Sequence, residues 1–244
     1  MSLNSKSVLI TGGGSGLGAE MARTFAAGGA DVTIAGRREE PLLRVADQAG
    51  CAWVVADITD ETSVSNMFAT GPYDIVIANA GASTSAPFNR TSLADWSAML
   101  AVNLTGTFLT LREGLNQMPA WGRLIAVAST AALKGYAYVA PYAAAKHGVV
   151  GMVKSLALEV ARSDVTVNAL CPGFLDTEMT DRSVTNIMEK TGKSRDDAIA
   201  ALAATNPQKR LIQPSEVTAA ALWLCAPGSE GINGQAIPIA GGEV

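Results

Sequence analysis

A phenol and an ammonium stand four residues apart in Pro141-Tyr142-Ala143-Ala144-Ala145-Lys146, at the start of a long apolar run with helical spacing. Residues at i and i+4 share one face of an α-helix, with Cβ atoms about 5–6 Å apart, so both side chains can reach one reacting oxygen. A free tyrosine has a pKa of about 10 and exchanges protons poorly near neutrality; a fixed cation beside it stabilises the phenolate and lowers that value. The pair is therefore a candidate acid/base couple. The same spacing arises on any alanine-rich helix as a surface pair with a snorkelling lysine, so the rest of the chain has to decide between the two.

The elements needed to present such a couple are signalled from the start of the chain. Ser7-Val8-Leu9-Ile10-Thr11 is a short apolar run, followed by Gly12-Gly13-Gly14-Ser15-Gly16-Leu17-Gly18 and a helical pattern through Ala27. Strand, glycine turn and helix in that order form the first half of a dinucleotide-binding βαβ unit. Glycines let the backbone approach a pyrophosphate, whose charge then sits at the helix N-terminus. The second strand, Asp31 to Ala35, is followed by Gly36-Arg37-Arg38, with no carboxylate until Glu39. A carboxylate there would bind a ribose 2′-hydroxyl and an arginine a 2′-phosphate, so NADP(H) is expected, with NAD(H) the alternative.

Further strands are expected at Cys51 to Ala56, Tyr73 to Ala78, Gly122 to Ala128, Val165 to Leu170 and Gln235 to Ile239, and Pro238 points to a sheet edge or a late strand position for the last. Helical patterns lie between them. Asp57-Ile58 falls where the third strand meets the crevice; Asp57 has two uses, accepting from an adenine amine or capping the helix that begins near Asp60. Asn79-Ala80-Gly81 ends the fourth strand in small residues that let a ligand lie across it. Asn103, in an apolar helix, needs partners, either structural at a kink or catalytic. Ser129 ends the fifth strand thirteen residues before Tyr142; it is a turn residue, or a second hydroxyl beside the phenol if the Tyr142 helix packs there. His147 is the only histidine and reads as structural.

Composition narrows the field. The 244 residues suit one α/β domain, spanning 1–244, with a charge-rich insertion at about 176–212 placed where a substrate lid would lie. Hydrophobic residues reach 48% against 16% charged, which points to apolar faces buried between subunits. A net charge of -4 argues against nucleic acid. No apolar run is long enough for a membrane span, and the polar Met1 to Lys6 stretch resembles neither signal nor transit peptide, so a cytoplasmic location is expected. The three cysteines, Cys51, Cys171 and Cys225, are far apart and read as reduced core residues; no metal set is expected.

In family order and at family spacing, Thr11-Gly12-x-x-x-Gly16-Leu17-Gly18, Asp57, Asn79-Ala80-Gly81, Asn103, Ser129, Tyr142-x-x-x-Lys146 and Pro172-Gly173 resemble the short-chain dehydrogenase/reductase family from Val8 to Gly242. The resemblance implies a Rossmann fold, a doubly wound seven-stranded parallel sheet with helices on both faces, assembled as a homotetramer. It implies that Tyr142 is the acid in carbonyl reduction and the base in alcohol oxidation. Lys146 would lower its pKa and bind the nicotinamide ribose, Ser129 would hold the substrate oxygen, and Asn103 would hold a water linking Lys146 to solvent. Pro172, Gly173, Leu175 and Thr177 would meet the nicotinamide end, and Ser15 and Arg37 the adenosine end. Cys171-Pro172-Gly173-Phe174 and Ile232-Asn233-Gly234-Gln235 are similar to bacterial ketoreductases of 3-oxoacyl thioesters. The substrate expected is a small ketone or secondary alcohol, with acyl thioesters and cyclic ketones included. Two rival readings are an epimerase or dehydratase with a held dinucleotide and a non-catalytic redox sensor.

Overall fold

The computed structural model describes residues 3–118 and 120–244. Seven short apolar segments pair in parallel into one sheet: β1 (Ser7–Thr11), β2 (Asp31–Gly36), β3 (Ala52–Val55), β4 (Ile75–Ala78), β5 (Trp121–Val127), β6 (Asp164–Pro172) and β7 (Ala236–Ile239), in the order β3-β2-β1-β4-β5-β6-β7. The order reverses between β1 and β4, and ligands of open α/β sheets bind outside the strand ends at such a point. Glycine turn and Asn79-Ala80-Gly81 both leave the sheet there.

Alternating side chains build a core on each face. Leu9 and Val76 pack with α3 (Glu61–Phe68), α5 (Gly106–Gln117) and α6 (Ala140–Glu159). Val8, Ile10, Ile75 and Ile77 pack on the other face with α1 (Gly16–Ala27), α2 (Glu39–Ala49) and α9 (Pro214–Cys225). Fully buried side chains such as Phe25, Met21 and Ile34 contribute roughly 1.5–3 kcal/mol each. The remaining helices are α4 (Leu93–Leu100), which leads towards α5, and the pair α7 (Glu178–Thr191) and α8 (Arg195–Ala203) inserted between β6 and α9.

The strand bounds expected from sequence shift by at most two residues, the larger shifts falling at the start of β4 and the end of β6. β7 is the edge strand that Pro238 pointed to, since its missing N–H faces no further partner. The long helical run before Met118 is interrupted by a π-helical turn over Ala101–Thr105 that contains Asn103. α7 and α8 are the two helices expected in the charge-rich insertion, and an isolated bridge between Leu175 and Ile212 closes its base.

Candidate active site

β5 stops at Val127, and two residues later Ser129 caps a single 3₁₀ turn, its Oγ accepting the Ala131 N–H at 3.1 Å. Ser129 is thus the turn residue of one sequence alternative, and its hydroxyl is also near enough to the Tyr142 phenol to pull that group's pKa down. α6 begins at Ala140, with Pro141 in its first turn where a missing N–H costs nothing. Tyr142 therefore sits where unpaired backbone N–H groups favour a developing negative charge. Lys146, one turn further in, is only 3% exposed. Its Nζ donates to the Val127 carbonyl at 2.8 Å and stands 5.6 Å from the Tyr142 ring centre.

Burial pushes the Tyr142 pKa above its ordinary value, with the Ser129 hydrogen bond pulling the other way. Burial also brings Lys146 down to about 8. In the protein alone desolvation sets the direction for the tyrosine; the ammonium, bonded to the Val127 carbonyl and 5.6 Å from the ring centre, favours the phenolate without overcoming burial. A neutral phenol is the form that can give up a proton, so the resting site is set as an acid.

Asn103 takes the structural role that its kink suggested. Its Nδ2 donates to Ala82 at 2.9 Å and to Met99 at 3.0 Å, and its Oδ1 accepts the Ala82 N–H at 3.2 Å. Both amide hydrogens are thereby used on backbone. The neighbourhood is still that of the site, for a Cβ on Gly81 would come 2.8 Å from Asn103 Oδ1 and 3.7 Å from Lys146 Nζ. Asn79 likewise serves the scaffold: its Nδ2 donates to the Thr11 carbonyl at 2.9 Å, while the Asn79 and Ala80 N–H groups donate to Thr11 Oγ1 at 3.0 and 3.1 Å. Thr11 thus ties the glycine turn to the end of β4. Sequence reading quoted it only as part of a motif; a hydroxyl on the last residue of an apolar strand was the signal.

The glycine turn fits a dinucleotide. Gly12 has φ +69, and a Cβ there would lie 2.9 Å from the Ala80 Cα, so the turn can hug the β4 end only without a side chain. Ser15 heads α1 with no side-chain cap bond, and no acid occupies the first turn of Gly16, Leu17 and Gly18, leaving N–H groups and a hydroxyl for an anion. Arg37 and Arg38 are exposed beyond β2. Asp57 is not the helix cap; Asp60 is, accepting the Ser63 N–H at 2.6 Å. Asp57 Oδ1 accepts the Thr59 N–H and hydroxyl, and among the described residues no donor bonds its second oxygen. The Thr59 N–H, against burial and with the Thr59 hydroxyl and Arg37, holds the Asp57 carboxyl below its ordinary pKa. Ile58 is buried against Gly106, so only its backbone is free to meet a ligand.

On the opposite wall Pro172 is buried, Gly173 donates to the Ile239 carbonyl at 3.1 Å, and Leu175 is held by its bridge to Ile212. Thr177 reaches across: a Cβ on Gly16 would lie 3.5 Å from its side chain. His147 lies exposed, a ring nitrogen paired with the Ala143 carbonyl, away from this chemistry. The structure therefore brings Ser129, Tyr142, Lys146, Asn103 and Gly81 to one end of the crevice and Ser15, Arg37 and Asp57 to the other. Sequence reading missed Tyr136 and Glu243, which meet beside the first group at 2.6 Å. No spacing rule joins residues that far apart in the chain.

The chain is similar to known proteins over nearly its whole length. The short chain dehydrogenase family pattern matches residues 6–187. The chain is 34% identical to a D-beta-hydroxybutyrate dehydrogenase of Cupriavidus necator, covering 99% of each. It is 32% identical to the 3-oxoacyl-acyl-carrier-protein reductase of Aquifex aeolicus, covering 98% of each. Among solved structures, a variant of actinorhodin polyketide ketoreductase with NADPH superposes with a TM-score of 0.94 at 32% identity, covering 100% of this chain and 99% of that one.

Proposed function

The chain belongs to the short-chain dehydrogenase family and is an NAD(P)-dependent oxidoreductase; from that premise we propose an NADP(H)-dependent carbonyl reductase and alcohol dehydrogenase, acting on a ketone or secondary alcohol. The observation that carries the reading is the meeting of Ser129, Tyr142 and Lys146 at the end of a glycine-lined crevice. When bound, the reduced dinucleotide supplies a hydride from its nicotinamide. Ser129 and Tyr142 hold the substrate oxygen with two hydroxyls, aiming its carbon at that hydride. As the carbon accepts the hydride, the oxygen takes the Tyr142 proton and the ketone becomes a secondary alcohol. The phenolate left behind faces the first turn of α6 and the Lys146 ammonium, both of which favour it. Oxidation runs the same proton back.

Exposed Arg37 supports NADP(H), since a guanidinium there can pair with a 2′-phosphate. The pair α7 and α8 forms the lid in this reading, and Met179, 45% exposed, and half-buried Met188 let it repack around different chains. The names of the relatives favour 3-oxoacyl thioesters and short hydroxyacids or their oxo forms as substrates. Apolar side chains exposed on α4, α5, α6 and α9, among them Leu93, Phe108, Leu158 and Trp223, support a homotetramer. Buried, unpaired Cys171 and Cys225 suit a reducing cytoplasm. The test is NADPH absorbance followed over acyl thioesters, cyclic ketones and small ketones. Carbonyl-dependent oxidation of NADPH is expected; a chain that binds NADPH and consumes it with no member of the panel contradicts the reading.

A further inference from the structure

A second set of polar side chains gathers around one buried carboxylate beside the Ser129 and Tyr142 pair. Gly241 and Gly242 both have positive φ, 61 and 92, and turn the segment after β7 back so that the Glu243 side chain is 1% exposed. Its carboxylate accepts the Tyr136 hydroxyl at 2.6 Å and pairs with the Lys134 ammonium at 2.9 Å, and the turn that carries it packs on Asn206 just beyond α8, where a Cβ on Gly241 would run into the Asn206 side chain. The Tyr136 oxygen in turn meets the Thr130 hydroxyl at 2.6 Å, one residue after Ser129. The Tyr136 ring packs edge-on against Phe174 with centroids 6.2 Å apart, and Glu243 Oε2 lies 3.4 Å from where a Gly173 Cβ would be.

Glu243 therefore ties the segment after β7 to the loop carrying Ser129, and through the Tyr136 ring that tie reaches the Gly173-Phe174 wall. A buried charge is a poor way to gain stability, because apolar residues of similar volume do as well without the desolvation cost. What a hydrogen-bonded carboxylate supplies is direction: its oxygens fix where each donor sits. Burial alone would raise the Glu243 pKa, but Tyr136 and Lys134 lead the groups that outweigh it and keep the carboxyl below its ordinary value, so the tie is in its charged form at neutral pH.

We propose that Glu243 and Tyr136 are positioning residues that hold the Ser129 loop and the Gly173-Phe174 wall in fixed register, and so place the substrate oxygen between Ser129 and Tyr142. The proposal rests on the carbonyl-reductase reading and adds to it a determinant of substrate placement that touches neither hydride nor proton. Its signature is loss of turnover without loss of cofactor. Glu243→Gln, Tyr136→Phe, the double variant and Glu243→Asp are compared with the full-length wild type on one ketone that the wild type reduces, with NADPH affinity measured by fluorescence titration. Each of the first two should lower kcat about tenfold or more, as misplacement of a reacting group does. NADPH Kd should stay within about twofold, Glu243→Asp should recover part of the rate, and the double variant should be no slower than the worse single because both remove one contact. Tyr136→Phe keeps the ring on Phe174 and decides the matter if the Glu243 variants fail to fold. Wild-type kcat in Tyr136→Phe overturns the proposal. So do losses that multiply in the double variant, or a rise in NADPH Kd that matches the fall in kcat. An inactive wild type that still binds NADPH would remove the underlying reading as well, whereas an active wild type with an unimpaired Tyr136→Phe removes this proposal alone.

Discussion

Lys146 is the side chain on which burial acts most clearly. Its folded pKa of about 8 lies below the 10.5 of an exposed lysine, so between those values the unfolded chain holds more protons and stability rises with pH. Below that window the buried ammonium is a penalty on the order of 3 kcal/mol, offset in part by its bond to Val127. Lys146→Met should therefore leave Tm at pH 7 unchanged or raised while cutting reductase activity, and calorimetry beside an assay checks both; a large drop in Tm would contradict this. The protonated lysine is also the form that supports the Tyr142 phenolate, so kcat/KM for NADPH, which reports groups of the free enzyme, should fall above about pH 8. A profile flat to pH 10 would count against its role. At the adenosine end, Arg37→Ala should raise the NADPH KM about ten- to a hundredfold, as loss of a charged hydrogen bond does, and the NADH KM far less. Equal effects would remove Arg37 from the phosphate. The Tyr142 and Lys146 spacing was legible in the sequence because one helical turn sets it. The aim of the ammonium was not, since it depends on a carbonyl nineteen residues earlier, at the end of another element.

Among the elements, the glycine turn and α1 were readable because glycine, strand and helix follow one another in the chain and each has a local cause. The turn's dependence on Thr11 and Asn79 was not, as those bonds span 68 and 69 positions. Gly18→Ala tests this packing. A Cβ there would run into the Gly12 carbonyl and lie 2.7 Å from Asn79 Nδ2, pushing the turn off the β4 end. NADPH affinity should fall about tenfold or more, since overpacking of such a contact costs about 1–3 kcal/mol, with the far-ultraviolet circular dichroism unchanged. Unaltered affinity would show that the turn has slack the structure does not suggest. The π-helical turn was legible only as a need: an asparagine among Met99, Leu100, Ala101 and Val102 had to find partners. That Ala82 would supply them follows from α4 and the loop after β4 being packed together, which periodicity alone does not reveal.

At the scale of the whole molecule, apolar runs marked the seven strands and the family resemblance implied their parallel, doubly wound sheet, while the order, with its reversal beside β1, is what places the crevice. How the segment after β7 returns to that crevice was hidden, because Glu243 meets Tyr136 across 107 positions. Leu93 and Leu158, 79% and 80% exposed in the single chain, are expected to be covered by further copies. Sedimentation equilibrium should give a mass near four times the 25.1 kDa chain, and a monomer at micromolar concentration would leave those faces unexplained. The account as a whole turns on whether one phenol moves the proton that accompanies the hydride. Steady-state reduction of a ketone by Tyr142→Phe, with NADPH binding measured in parallel, addresses this most directly. The expected result is a kcat about 10²- to 10⁴-fold below wild type with NADPH Kd nearly unchanged, the loss characteristic of a missing general acid; a variant that reduces the ketone at near wild-type rate would contradict it.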